Sequence, residues 1–440
     1  MKEDTDVKMK KECFPKRKRV AILHPDLGIG GAEQLIINVA LALQNKGFFV
    51  KILTPHCDKK HCFQEVKDKL VNVEIHGNLF PRTICGKFWA FCAYIRMFLC
   101  ALYLLFLGGK YDCVILDQVP FPILILRPFM RTKVLFYCHF PDKLLCTQRR
   151  NCLKRIYRFF IDFIEELTMG MAHKILVNSE FTKQTFKNSF KILSDPKRCR
   201  LCYKKKIPEI LYPSIKLSEF DSPSPEVHEI KNLEFLKEKR DIKIICSLNR
   251  YERKKNIGLA IETFSLLLKT VDSEYTDNLL LVIAGGFDPT LHENVDHFSE
   301  LQTLTRNLNI PQHQIVFLKS ISNQERSSLL KKALVLFYTP QNEHFGIVPV
   351  EAMYNKCIVF ASNTGGPRES VIHEQTGFLL DSDSQLWVQK LQEVILNPQL
   401  TSQMAQNARI HAAQMFSDQT FADSLEKIVW NLILNKNKGK

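Results

Sequence analysis

A chain of 440 residues is too long for one small core and predicts two or three domains. Its 61 lysines and arginines outnumber 46 acidic residues, giving a formal net charge of +15 that fits nucleic acid, an anionic membrane or a phosphorylated substrate. No helix-turn-helix, zinc-finger or RNP-like pattern supports nucleic acid, and 14 cysteines scattered behind a charged start argue for reduced thiols over a secreted disulfide framework.

In chain order, residues 1–18 read as a disordered basic arm. Val20–Leu23 reads as a first strand, entering His24-Pro-Asp-Leu-Gly-Ile-Gly-Gly31-Ala-Glu. Leu35, Ile36, Val39, Ala40 and Leu43 then keep helical spacing. Strand, glycine loop and helix let backbone N–H groups approach a phosphate, which makes Gly30 and Gly31 candidate ligands. The dinucleotide pattern G-x-G-x-x-G is absent, and a tight turn would need the same glycines.

Phe88–Leu107 is a run of apolar residues with one charge, Arg96. Its length matches a bilayer core of roughly 30 Å. Yet Tyr111–Leu116 follows as a strand of the same sheet, and a single crossing would leave two halves of one sheet on opposite sides. Val119–Met130, with Pro120, Pro122 and Pro128, is too poor a helix to return the chain. The run therefore reads as a helix within one leaflet, with Phe88, Trp89, Phe98, Leu102, Leu105 and Leu107 as membrane contacts. The alternative is a helix buried between the sheet and its neighbours.

Lys133–Cys138 is the next strand, and His139 stands at its carboxyl edge, on the same rim as Gly30 and Gly31, as a site residue or an ordinary loop histidine. Tyr157–Met171 has helical spacing. The stretch 196–208 is a basic insert whose Cys199–Cys202 pair lacks a second pair nearby. Pro213–Leu236 reads as the connection between domains.

A second α/β alternation starts at Ile242–Leu248 and feeds Asn249-Arg-Tyr-Glu-Arg-Lys-Lys255-Asn. Arg250, Arg253, Lys254 and Lys255 form a diphosphate clamp or a solvated turn; Arg250 binds oxygens in pairs and Lys255 is a point charge. Val335–Tyr338 is a strand, Glu343 lies in the loop beyond it, and Glu351 falls in the opening turn of a helix containing Pro349. These carboxylates flank Gly346 at the sheet edge where ligands of open α/β sheets bind. The amides of Gly365 and Gly366 face the same edge. Asp381 and Asp383 have a metal-binding spacing but lie far along the chain, so no metal site is assigned. Phe416–Ile433 reads as a last amphipathic helix.

Glu343 and Glu351 resemble the E-x7-E motif of retaining glycosyltransferases with the GT-B fold, and Gly30-Gly31-Ala32-Glu33 resembles their opening glycine loop. That resemblance implies two Rossmann-like, doubly wound α/β domains facing across a cleft. Residues 19–215 would form the acceptor domain, 216–238 the linker, 239–412 the donor domain, and 413–440 the returning helix and tail. In similar enzymes an arginine and a lysine five apart hold the donor diphosphate, as Arg250 and Lys255 would here. Glu343, His139 and Lys255 would be catalytic, and Glu351 would hold the ribose. Gly30, Gly31, Phe345, Gly346, Ile347, Gly365 and Gly366 would complete the donor site.

LxHPDLGIGGAE, FYCHFPD, NRYERKKN and NEHFGIVPVEAM further resemble the dolichol-pathway α-1,3/α-1,6-mannosyltransferase family. The resemblance implies GDP-mannose as donor, a dolichyl-diphosphate-linked mannosyl chitobiose as acceptor in N-glycan precursor assembly, and no cofactor. It implies a place on the endoplasmic reticulum membrane facing the cytosol, with other mannosyltransferases of the pathway as candidate partners. Two rivals stay open: a related transferase with a soluble or different lipid acceptor, and a non-catalytic nucleotide-sugar-binding scaffold on a membrane.

Overall fold

The computed structural model describes residues 17–58, 62–145, 152–194, 206–238 and 241–434. Most of the basic arm and of the 196–208 insert, including Cys199 and Cys202, lies outside the described residues.

Short apolar, β-branched runs form two sheets. Strands β1 (Arg19–Leu23), β2 (Phe49–Thr54), β3 (Val73–Ile75), β4 (Cys113–Asp117), β5 (Lys133–Cys138), β6 (Lys174–Val177) and β7 (Glu209–Ile210) lie in the order β3-β2-β1-β4-β5-β6-β7. Strands β8 (Lys243–Leu248), β9 (Leu279–Gly285), β10 (Ile315–Lys319), β11 (Ala333–Tyr338), β12 (Ile358–Ser362) and β13 (Gly377–Leu380) lie in the order β10-β9-β8-β11-β12-β13. The neighbours of β1, β8 and β11 run parallel to them. Parallel strands need helical crossovers, which cover both faces, and the second sheet shows this in its core. Along β8, Ile244, Cys246 and Leu248 enter one buried cluster while Ile245 enters the opposite one.

Contacts group the chain into two compact units, Met1–Leu135 with Val429–Lys440, and Phe136–Ile428. The last helix, Asp418–Leu434, belongs to the second up to Ile428 and to the first from Val429. Within the first unit the Trp430 ring lies 5.3 Å from that of Phe48.

The apolar run folds as a helix from Trp89 to Phe106, with 39% of it buried. Among the described residues it is the one helix long and apolar enough to cross a membrane. Its single charge does not face outwards. The Arg96 guanidinium turns inwards and donates to the Pro55 carbonyl at 2.7 Å, beside buried Cys92, Met97, Cys100 and Leu104. Phe88, Trp89, Phe106 and Leu107 are exposed at the two ends, whereas Phe98, Leu102 and Leu105 in between are half-buried. Gly77 passes beneath with φ +86, where a Cβ would meet the Arg96 carbonyl at 2.3 Å.

The proline-rich stretch after β4 forms a short helix, Ile123–Phe129, far shorter than a bilayer core of roughly 30 Å. Pro122 stands at its N-terminus and Pro128 one residue from its end, so neither interrupts its middle.

Candidate functional site

In the six-stranded sheet the strand order reverses between β8 and β11, so the loops leaving these neighbours turn away from each other. The gap at such a switch point is where open α/β sheets bind ligands. It lies between Asn249–Asn256 and Thr339–Gly346.

Tyr251 anchors the first of these loops. Its ring is fully buried, and its hydroxyl donates to the carbonyls of Ile283 and Leu318 at 3.1 and 2.9 Å. Burial raises its pKa well above that of an ordinary phenol. With the backbone thus fixed, the four cations separate. Arg253 makes a two-pronged contact with Glu300 at 2.5 and 3.2 Å, and Lys254 pairs with Glu252 at 3.0 Å. The Arg250 side chain is 64% exposed, with one contact to Glu252 at 3.1 Å. Lys255 turns inwards, and its ammonium contacts the Glu343 carboxylate. Its carbonyl accepts from buried Thr339 at 2.7 Å, which ties this loop to the end of β11.

Burial alone would raise the Glu343 pKa, but Lys255, by charge and hydrogen bond and with help from His344 and Lys254, holds it below the usual carboxylate range. Glu343 is therefore an anion at neutral pH, set beside a cation. Gly346 closes the loop at φ +81, and a Cβ there would lie 3.1 Å from the Tyr338 ring. The glycine turn at 365–366 packs against the carboxylate loop. A Cβ on Gly365 would strike the Glu343 carbonyl at 2.5 Å, and one on Gly366 the Phe345 backbone at 2.3 Å. The Gly366 N–H donates to the Glu343 carbonyl at 2.8 Å, so it supports the carboxylate loop and does not face open solvent.

Two further placements correct the sequence reading. Phe345 is 4% exposed and packs against Tyr212 and Phe416, so only its backbone borders the gap. Glu351 is the fifth residue of the Ile347–Tyr354 helix, one place beyond the opening turn, and no acidic residue occupies that turn. Pro349 sits in the first turn as predicted, and Ile347 begins the helix with its side chain against the core. Burial raises the Glu351 pKa, and Arg326, 3.1 Å from one carboxylate oxygen, offsets part of that rise. The other oxygen, Oε2, is buried without a hydrogen-bond partner.

His139 follows β5 and keeps its ring half-exposed, 4.9 Å from that of Tyr137. The next residue, Phe140, stacks on His344 at 3.8 Å and 8° between planes. The FYCHFPD and NEHFG stretches thus meet, which brings His139 close to His344. Sequence reasoning passed over His344. Burial, together with Lys255, Lys254 and His139, pushes its pKa down to about 4, so the ring is neutral at physiological pH. It also passed over Ser179, whose hydroxyl donates to the His344 carbonyl at 2.6 Å, and Glu369, whose carboxylate accepts from the N–H groups of Glu180 and Phe181. The signal available was the alternation of motif loops along the chain, which places them on one sheet edge without saying which side chains touch.

In the first unit, Gly30 precedes the Gly31–Asn45 helix in an extended conformation, and nothing lies where a Gly31 Cβ would project. Behind this loop His24 Nδ1 meets the Asp117 carboxylate at 2.8 Å while Nε2 donates to the Asp26 carbonyl at 2.9 Å. Asp383, one of the two spaced aspartates, caps the Ser384–Leu396 helix by accepting from the Gln385 N–H at 2.9 Å.

Residues 229–411 match the family model described as "Glycosyl transferases group 1", and residues 29–203 match "Glycosyltransferase Family 4". The fold resembles sucrose-phosphate synthase from Thermosynechococcus elongatus, with a TM-score of 0.70 at 18% identity, covering 95% of this chain and 100% of that one. The two parallel sheets and these matches make the chain a glycosyltransferase with the GT-B fold. Its relatives narrow the class. The chain is 43% identical to the α-1,3/1,6-mannosyltransferase ALG2 of Mus musculus, over 94% of this chain and 96% of that protein. It is likewise 43% identical to that of Homo sapiens, over 94% and 96%. The chain belongs to this family of α-1,3/1,6-mannosyltransferases.

Proposed function

We propose that the chain adds α-1,3- and α-1,6-linked mannose from GDP-mannose to a dolichyl-diphosphate-linked mannosyl chitobiose, during assembly of the N-glycan precursor. Membership of the mannosyltransferase family supports the reaction class. The contact between Lys255 and Glu343 at the β8/β11 switch point carries the mechanistic reading.

A sugar leaving its diphosphate needs two kinds of help: charge to neutralise the departing oxygens, and acceptors to orient the hexose. Lys255 and exposed Arg250 offer the charge, and preorganised cations of this kind contribute a large share of transferase rates. The ionised Glu343 orients mannose hydroxyls, with His139 and the neutral His344 beside it. The bare Oε2 of Glu351 accepts a ribose hydroxyl. Gly30 and Gly31 add backbone N–H groups for the phosphates. The acceptor hydroxyl attacks on the face the diphosphate leaves, which retains the anomeric configuration. This scheme uses no metal and no side-chain nucleophile.

The lipid acceptor places the enzyme on the endoplasmic reticulum membrane, with its catalytic residues towards the cytosol. The Trp89–Phe106 helix and its exposed aromatic ends support membrane contact. The deciding experiment incubates the purified chain with labelled GDP-mannose, GDP-glucose or UDP-glucose, each with lipid-linked or soluble acceptors. Transfer confined to GDP-mannose and the lipid-linked mannosyl chitobiose is the expected result. Transfer to a soluble acceptor alone, or donor binding without transfer, would replace the proposal with one of the two rivals.

A further inference from the structure

The connection after β7 carries two serines that each precede a proline, Ser222-Pro223 and Ser224-Pro225. Proline holds the residue before it extended, and Ser222 stands at φ −67 and ψ 153, just past the short helix Leu217–Asp221. Ser222 and Pro223 are exposed, and Ser224 and Pro225 are half-buried. The segment lies along the helix Asn323–Lys332. The Lys331 ammonium donates to the Ser222 carbonyl and the Ser224 hydroxyl at 3.2 and 3.0 Å, and the Ser328 hydroxyl donates to the Pro225 carbonyl. Between segment and helix lies a cavity of about 240 Å³, lined among others by Ser222, Ser224, Asn323, Gln324, Arg326 and Ser327. Its surroundings suit an anion. It meets the helix at its N-terminus, where backbone N–H groups point outwards. Beside it Arg326 Nε and Ser327 Oγ are buried without a hydrogen-bond partner, and Ser327 is only 3% exposed. The nearby acids are engaged: Glu219 by Lys216 at 3.3 Å, Asp221 by Arg409 at 3.0 Å, and Glu325 by the Ser322 N–H at 2.7 Å.

We propose that Ser222 and Ser224 are phosphorylation sites for a proline-directed serine kinase, and that the phosphate, received by Lys331 and Arg326, turns down the donor site. A serine hydroxyl attacks the γ-phosphorus of ATP; the new O–P bond replaces the anhydride bond to ADP, and the hydroxyl proton passes to the catalytic base of the kinase. A phosphoserine carries close to two negative charges and three strong acceptor oxygens, and binds where arginine and lysine already wait. Arg326 also serves Glu351, 3.1 Å away, and offsets part of the cost of burying that carboxylate. The phosphate cancels the single positive charge that Arg326 offers, so Glu351 loses its support as an anion. This consequence rests on the ribose role proposed for Glu351; the modification and its contact with Arg326 do not.

The test treats the full chain with a cyclin-dependent kinase and magnesium ATP. Peptide mass mapping should place phosphate on Ser222 and Ser224. The variant Ser222→Ala/Ser224→Ala should take none there, while keeping the melting temperature and donor KM of the untreated parent. In phosphorus NMR the phosphoserines should titrate below the ordinary value of about 6, and return to it in Arg326→Gln. Phosphorylation should raise the KM for GDP-mannose about tenfold with kcat little changed, as expected when a charged acceptor is replaced by a neutral one. In Arg326→Gln it should add no further rise. A folded chain left unmodified at both serines would overturn the proposal, as would a phosphate that titrates alike in the parent and in Arg326→Gln. A shifted titration with unchanged donor KM would overturn the regulation. An untreated parent that does not use GDP-mannose at all would instead refute the donor reading, and the phosphorus titration would still decide the contact.

Discussion

At the switch point of the seven-stranded sheet, His24 after β1 meets Asp117 at the end of β4; at that of the six-stranded sheet, Lys255 meets Glu343. Each contact joins a basic side chain and a carboxylate across neighbouring strands whose connections the strand order sends apart. His24 and Asp117 are wholly buried, and the second ring nitrogen of His24 is used by its own loop. Lys255 and Glu343 keep 12% and 24% of their side chains exposed, with His344 adjoining and Arg250 on the same loop. Topology therefore supplies two equivalent gaps; burial closes the first pair off as a brace and leaves the second within reach of solvent, as the proposed donor site requires.

The contrast breaks most readily at the second pair. Lys255→Ala and Glu343→Gln should each lower mannose transfer between about a hundred- and a thousandfold, the range found when one preorganised charge-stabilising group is removed. The melting temperature should shift by only a few degrees, because both side chains reach water. Near-normal turnover in either variant would make this pair another brace.

The first pair predicts the reverse balance. Asp117→Asn should cost the fold about 3 kcal/mol in urea unfolding, because it leaves the buried His24 without its counter-charge. Burial alone would lower the His24 pKa, but Asp117, aided by Glu33, raises it overall. Stability from this group is therefore complete below the unfolded value of about 6.5 and is lost as pH rises through the higher folded value. The substitution should flatten that alkaline decline. A variant of unchanged stability and abolished transfer would move His24 and Asp117 into the chemistry.

Gly346→Ala sharpens the comparison from the backbone. An alanine at φ +81, with its Cβ 3.1 Å from the Tyr338 ring, should cost about 1–2 kcal/mol and tilt the Glu343 loop. Transfer should fall with stability, and rescue by a smaller partner in Tyr338→Ala would separate the clash from the dihedral strain.

Much of this arrangement was legible in the chain. Strand runs, glycine loops and Pro349 placed Glu343 and the 250–255 cations on one sheet edge, since hydrophobic period and turn chemistry are local properties. Which cation reaches Glu343 was not legible. Four cations in six residues look alike until Tyr251 fixes the backbone and Glu300 and Glu252 draw Arg253 and Lys254 aside. The same limit hid Phe345, a core side chain inside a motif, and the work of Gly366, whose partner is the distant Glu343 backbone. The helix Cys152–Met171 had plain 3.6-residue spacing in the sequence. Periodicity reports that two faces differ, and only tertiary contacts of Arg158 and Glu165 with Asp142 show that the charged one is inside.

Glu351→Gln gives the smallest effect and separates two meanings of a buried carboxylate. Burial raises the Glu351 pKa and Arg326 recovers part of that rise, so the folded protein holds its proton more tightly than the unfolded chain. The stability this brings is complete below the unfolded value of about 4.3 and is lost as pH rises through the folded value. Burial thus makes the site favour a neutral group over a carboxylate. Glutamine keeps the shape and removes the charge. Stability should hold or rise by less than about 1 kcal/mol, the usual gain where a functional group sits at a cost to the fold. The donor KM should rise about tenfold, because a hydroxyl bound to a charged acceptor is worth roughly 1.5 kcal/mol more than one bound to a neutral amide. A lower melting temperature with unchanged KM would show that Arg326, and not the ribose, is the partner Glu351 exists to hold.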